Sequence, residues 1–223
     1  MKIFITSTNT DVGKTYFTVK LFKRLVKEGY HTVIYKPFQT EMLEDGTFPD
    51  LEAYRQECQL DYDTTSLYTF KNPVSPHLAF KQEQDQHFNI SKVLEKLRQL
   101  ENAYDIVLIE GAGGIGVPIY EGDQDFYMTA DLIDETSDKF ISVLPSKLGA
   151  INDIYMHQSF INMHHLPQNI LVMNRYDGSE VEQDNLSTSQ KLVNQDIFTF
   201  KTNGTDSDIS KPLLQEILGG NYE

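Results

Sequence analysis

The junction at residues 2–28 constrains this chain most. An apolar run, KIFITS, passes without a linker into TNTDVGKT, and an amphipathic stretch from Lys14 to Glu28 follows and ends near Gly29. A short, nearly continuous apolar run reads as a strand buried on both faces, and a helix packed on it returns the chain to a parallel neighbour. HTVIYKP supplies that neighbour, a second strand at 31–36 ended by Pro37. The result is a βαβ unit with a right-handed crossover.

The alternation continues to the end of the chain. Residues 38–48 (FQTEMLEDGTF) carry no period and read as a mobile loop, and PDLEAYRQECQ reads as a helix with Pro49 at its start. NPVSPHLAF is turn-rich; NISKVLEKLRQLENA, apolar at Ile90, Val93, Leu94, Leu97 and Leu100, predicts a helix that leads into the strand YDIVLIEG. Beyond a Gly-rich segment, the pattern predicts helices at 127–135, 150–163, 180–193 and 210–218. Strands are expected at 140–145, NILVMN and DIFTF. The expected fold is α/β: one domain over residues 1–223, with a mostly parallel sheet and helices on both faces.

Charge and composition exclude several functions. Nineteen Lys and Arg against thirty-three Asp and Glu leave a net charge of −14, which repels nucleic acid. Cys58 is the only cysteine, so no intrachain disulfide is expected. The first residues lack the apolar stretch of an export signal, and no apolar run reaches the roughly 18 residues of a membrane span. A cytoplasmic protein with no membrane partner is expected.

The loop between the first strand and helix carries chemistry. Against GxxxxGK[ST], Gly13, Lys14 and Thr15 match and Thr8 stands at the first glycine. Gly13 permits close backbone approach, Lys14 can reach β- and γ-phosphates, and Thr15 can ligate Mg²⁺. The start of the helix adds partial positive charge where phosphates would lie. At the carboxyl edge of the same sheet, where open α/β folds bind ligands, stand Lys36 and Glu110, the latter followed by Gly111, Gly113 and Gly114. On residue grounds alone, Lys36 reads equally as a surface lysine, Glu110 as a cap to its strand, and Asp50 as an acid in a helix's first turn.

TNTDVGKT, YKP, the aspartate of PDLEAY, YTFKNPVSPH, IEGAGG, KLGAIN and the asparagine of LVMNR together resemble the dethiobiotin synthetases, in their order and at about their spacing. The resemblance runs nearly end to end and implies a P-loop NTPase-like fold. It also implies a reaction in which 7,8-diaminopelargonate, CO2 and ATP or another nucleoside triphosphate give dethiobiotin, with Mg²⁺ required. It implies that Thr10, Asp11, Val12, Gly13, Lys14, Thr15 and Tyr16 hold the nucleotide's phosphates, with Asn174 and Arg175 at the base. Thr15, Asp50 and Glu110 would hold Mg²⁺, and Lys14, Lys36 and Thr40 would act on the transferred phosphoryl group and the carbamate. Gly113 would line the substrate site together with Lys36 and Thr40. Gly149, Ala150 and Asn152 would receive the substrate's tail from across a homodimer interface. Ser7 stands where the family has an early glycine, and Arg175 where it often has aspartate.

Three other readings compete. A nucleotide-switch ATPase of the partitioning or division-positioning type shares the fold, but residues 7–12 lack its extra lysine and the tail LLQEILGGNYE is acidic rather than basic. An amidoligase would need a glutaminase domain for which 223 residues leave no room. A binding domain without turnover has no need of Lys14, Thr15, Lys36 and Glu110 together. His164 and His165, adjacent on a helix, face apart and read as surface residues.

Overall fold

The computed structural model describes residues 1–219; the last four residues of the acidic tail lie outside them. The strands are β1 (Lys2–Ser7), β2 (Thr32–Gln39), β3 (Ser66–Thr69), β4 (Ile106–Glu110), β5 (Pro118–Glu121), β6 (Phe126–Met128), β7 (Lys139–Leu144), β8 (Ile170–Tyr176) and β9 (Ile197–Lys201). Seven of them form a parallel sheet in the order β3-β2-β4-β1-β7-β8-β9, and β5 and β6 pair as a separate antiparallel hairpin. The helices are α1 (Lys14–Lys27), α2 (Pro49–Cys58), α3 (Tyr62–Thr65), α4 (Pro76–Gln82), α5 (Ile90–Ala103), α6 (Thr129–Thr136), α7 (Ala150–Met163), α8 (Glu180–Val193) and α9 (Lys211–Leu218).

Successive strand residues point to opposite faces, and both faces here are apolar. Ile3, Ile5, Ile106 and Leu108 share one core with Phe17 and Leu21 of α1, Leu51 of α2 and Leu213 of α9. Phe4, Val107 and Ile109 share the other with Val93 and Leu97 of α5 and Leu132 of α6. That two-sided burial explains why the strands read as continuous apolar runs rather than alternating ones. Where helices start, side chains satisfy the free N–H groups: Asn89 accepts from Lys92 N at α5, and Ser179 and Glu182 form a capping box at α8.

Several expectations need correction. β2 does not stop at Pro37 but runs to Gln39, because its pairing passes from β4, which it meets through Tyr35, to β3, which it meets from Lys36. A residue without an N–H is tolerated where one neighbouring strand has ended. The segment after β2 is tied down as well: Glu41 N–H donates to Asn72 O and Met42 N–H to Lys71 O, at 3.1 and 2.8 Å. Residues read as turn-rich hold α4, begun by Pro76, and the front of the helix expected at 127–135 is strand β6. Phe38, Tyr68, Phe70, Phe80, Phe88 and Tyr120 stack edge-on and face-on, binding β2, β3, α4 and the hairpin into one wall. His164 caps the end of α7 and is exposed, as expected.

Candidate active site

The carboxyl ends of β1, β2 and β4 lie side by side, and the side chains that leave them converge. Gly13 caps the start of α1 with φ +93°, a left-handed conformation that favours glycine, and a Cβ there would collide with Asn174 Nδ2. The Asn174 amide in turn donates to Val12 O at 2.8 Å, so β8 fastens the loop from outside. The glycine loop after β4 fastens it from the other side: Ile115 N–H donates to Ser7 O at 3.0 Å, and Gly114 packs against the Thr8 backbone so tightly that a Cβ would come within 2.7 Å of Thr8 O.

Beneath this loop sits a charged cluster. Lys36, from β2, places Nζ 2.7 Å from Asp50 Oδ2 and 2.9 Å from Glu110 Oε1. Thr15 Oγ1 lies 2.7 Å from Asp50 Oδ1 and 2.8 Å from Glu110 Oε1, one hydroxyl proton between two carboxylates. Glu110 is wholly buried; its Oε2 meets no donor in good hydrogen-bond geometry, and the buried Tyr54 hydroxyl is a polar group interacting with this carboxylate. Oxygens of Thr15, Asp50 and Glu110 crowd together with only the Thr15 hydroxyl proton and the Lys36 ammonium among them, an arrangement that suits a hard divalent cation, which prefers one or two carboxylates and completes its shell with phosphate and water. Asp50 thus belongs to the cluster rather than serving only as a helix-start acid.

Burial alone would lower the pKa of Lys36, but Asp50 and Glu110 outweigh it and hold it above the ordinary lysine value. Burial would raise that of Asp50, and Lys36 reverses this to hold it low. Lys14 has no such carboxylate contact: its Nζ donates to Ser7 Oγ at 3.1 Å, and burial together with the Lys36 charge brings its pKa down to about 8. Tyr54, one turn beyond Asp50 in α2, is buried against the same carboxylates, and burial raises its phenol well above the ordinary value.

A cavity of about 480 Å³ opens above the cluster. Of the residues expected in the site, Thr10, Asp11, Gly13, Lys14, Thr15, Tyr16, Lys36, Thr40, Asp50, Gly113 and Arg175 line it. Tyr16 is steadied by its hydroxyl, which donates to Gly204 O at 2.6 Å. Val12, Asn174 and Glu110 stand behind the lining as supports. Gly149, Ala150 and Asn152 do not line it; Gly149, with φ +98°, caps the start of α7 after β7. Sequence reasoning missed the wall formed by Pro73, Val74, Ser75 and Pro76, and Glu41. The proline-flanked SPH segment was the available signal for the first.

A family model described as an AAA domain matches residues 1–202. An ATP-dependent dethiobiotin synthetase of Staphylococcus epidermidis is 55% identical over 220 residues, covering 99% of each chain. The chain belongs to the dethiobiotin synthetase family. Other members are more distant, including one from Geobacillus at 37% identity over 86% of this chain and 80% of its own, and one from Fusobacterium nucleatum at 33% over 93% and 96%. Among solved structures, the septum site-determining protein MinD of Pyrococcus horikoshii, complexed with Mg-ADP, superposes with a TM-score of 0.54 at 16% identity, covering 90% of this chain and 80% of that one. A ParA family ATPase of Chlorobium tepidum gives 0.54 at 12%, covering 98% and 93%. These two likenesses bear on the fold alone. The Ser7 hydroxyl, in the phosphate loop, both donates to Asn9 O at 2.6 Å and accepts from Lys14.

Proposed function

We propose that this protein is an ATP-dependent dethiobiotin synthetase that closes the ureido ring of dethiobiotin from 7,8-diaminopelargonate and CO2. The observation that carries the reading is the meeting of Lys14, Lys36, Thr15 and Asp50 at one cavity, with the buried carboxylate of Glu110 directly behind them. One amine adds to CO2 and loses a proton, giving a carbamate. The γ-phosphoryl group passes to a carbamate oxygen, and the second amine attacks the carbamoyl carbon and expels phosphate.

Lys14 and Lys36 neutralise oxyanions that gather charge in this sequence, and their fixed positions make the effect preorganised. Thr40 offers a hydroxyl to the carbamate or the transferred phosphoryl. Holding two amines against one activated carbon is chiefly positioning, an effect worth roughly 7 to 11 kcal/mol where reacting atoms are well aligned. Mg²⁺ held by Thr15, Asp50 and Glu110 would neutralise the β- and γ-phosphate oxygens, and the crowding of these three residues' oxygens supports that fit. Asn174 and Arg175 would serve the base: Arg175 lines the cavity, and Asn174, buried behind it, holds the phosphate loop through Val12 O.

The protein works as a single-domain subunit of a homodimer, in the cytoplasm. Gly149, Ala150 and Asn152 sit away from their own cavity, which supports their serving the partner's site. Among the described residues no helix is long and apolar enough to cross a membrane. The test is phosphate release with Mg²⁺, bicarbonate and ATP, GTP or CTP, with and without the diamine, on protein sized by sedimentation. Release that requires the diamine and yields dethiobiotin is expected. Release indifferent to it would favour a nucleotide-switch ATPase.

A further inference from the structure

Among the described residues, three charged ones that line the cavity have left-handed backbone: Asp11, Glu41 and Arg175, at φ +61°, +73° and +56°. A side chain is disfavoured there by the clash of Cβ with the following carbonyl, and residues held so against their preference gather at functional sites. Asp11 belongs to the phosphate loop and Arg175 to the irregularity in β8 that follows Asn174. Glu41 belongs to neither. Its own N–H and that of Met42 are bonded to the carbonyls of Asn72 and Lys71, so the direction of its Cβ is fixed by backbone.

The remaining charges give Glu41 a distinct task. Lys14, Lys36 and Arg175 suit phosphate and carbamate oxyanions, and the carboxylates of Asp50 and Glu110 are engaged by Lys36 and Thr15. The Glu41 carboxylate forms no ion pair among the described residues. A vicinal diamine enters with one nitrogen protonated, because repulsion between adjacent ammonium groups keeps the other neutral. We infer that the Glu41 carboxylate, pinned beside Thr40, is the subsite for the protonated amine of the substrate. This rests on the diamine reading above. The neutral amine is then the one left free to meet CO2, and the ammonium passes its proton to the Glu41 carboxylate before it attacks as the second amine, so Glu41 selects for a diamine over a monoamine and orients it.

The test compares wild type, Glu41→Gln and Glu41→Gly in initial-rate measurements on the whole protein, varying the diamine, ATP and Mg²⁺ in turn. Glu41→Gln is expected to raise KM for the diamine roughly tenfold, about 1.4 kcal/mol, and to leave KM for ATP and the Mg²⁺ dependence within about twofold. Glu41→Gly is expected to raise the same KM while increasing thermal stability, since glycine adopts this φ freely. That opposite movement separates binding from folding. An unchanged diamine KM in both variants, or a shift falling on ATP or Mg²⁺ instead, overturns the inference. A wild type that turns over no diamine would sink the synthetase reading itself.

Discussion

Replacing Lys36 by methionine tests the electrostatic account of the site at its centre. The ammonium is almost fully buried and sits 2.7 and 2.9 Å from oxygens of Asp50 and Glu110. Lys36→Met keeps the stem but leaves two carboxylates, one wholly buried and one about three-quarters so, without a counter-charge. Breaking a buried pair in this way costs about 3–5 kcal/mol. For a domain of this size each kcal/mol moves Tm by about 2–4 °C, so a fall on the order of 10 °C is expected in calorimetry without metal. Mg²⁺ should restore much of that loss in the variant and change wild type little, because in the variant it supplies the charge the ammonium supplied. A fall of only about 2 °C, less than 1 kcal/mol on this scale, would refute the claim that the pair is buried and unscreened. A large fall that Mg²⁺ leaves untouched would refute the claim that metal and ammonium neutralise the same oxygens.

Other perturbations probe neighbouring parts. Gly13→Ala forces a Cβ into Asn174 Nδ2 at a left-handed φ, and is expected to weaken ATP binding by about tenfold or more in titration calorimetry and to cost about 1–2 kcal/mol of stability. Thr15→Val removes the hydroxyl between Asp50 and Glu110; the Mg²⁺ concentration for half-maximal phosphate release should rise by about tenfold, matching the loss of one oxygen ligand. His157 is buried, with Nε2 2.7 Å from Ser142 Oγ, and burial brings its pKa down to about 4. Between that value and the ordinary one near 6.5 the unfolded chain binds the proton and the folded one does not. Stability is therefore lost on acidification through this window, by up to about 3 kcal/mol, and the denaturation profile of His157→Gln should lack that component of the pH slope.

The parts of the fold that were legible in sequence were those written as uninterrupted patterns. β1, β4 and β8 are apolar runs because both sheet faces are covered, and α1 and α5 keep an apolar helical period over fourteen residues each. β3 and the hairpin were missed because they are four residues or fewer and owe their pairing to neighbours far along the chain. Within the site, Gly13, Lys14 and Thr15 announce themselves by spacing. Asp50 does not: an acid after a helix-starting proline is commonplace, and only the approach of β2 and β4 shows it facing Lys36 and Thr15. Glu41 is less legible still, because nothing local signals a glutamate with left-handed backbone; the bonds to residues 71 and 72 hold it there.

The stitching of the phosphate loop bears on how this scaffold can be redesigned. Residues 7–15 are sewn to the glycine loop through Ile115 and Ser7, pressed by Gly114 at Thr8, and clamped by the Asn174 amide at Val12. A transplant of the loop alone would carry none of these fastenings. The smallest exchangeable cassette is therefore three pieces from distant stretches of the gene, residues 7–15, 113–115 and 174–175, and a library that varies only the first would sample loops with nothing to hold them in shape.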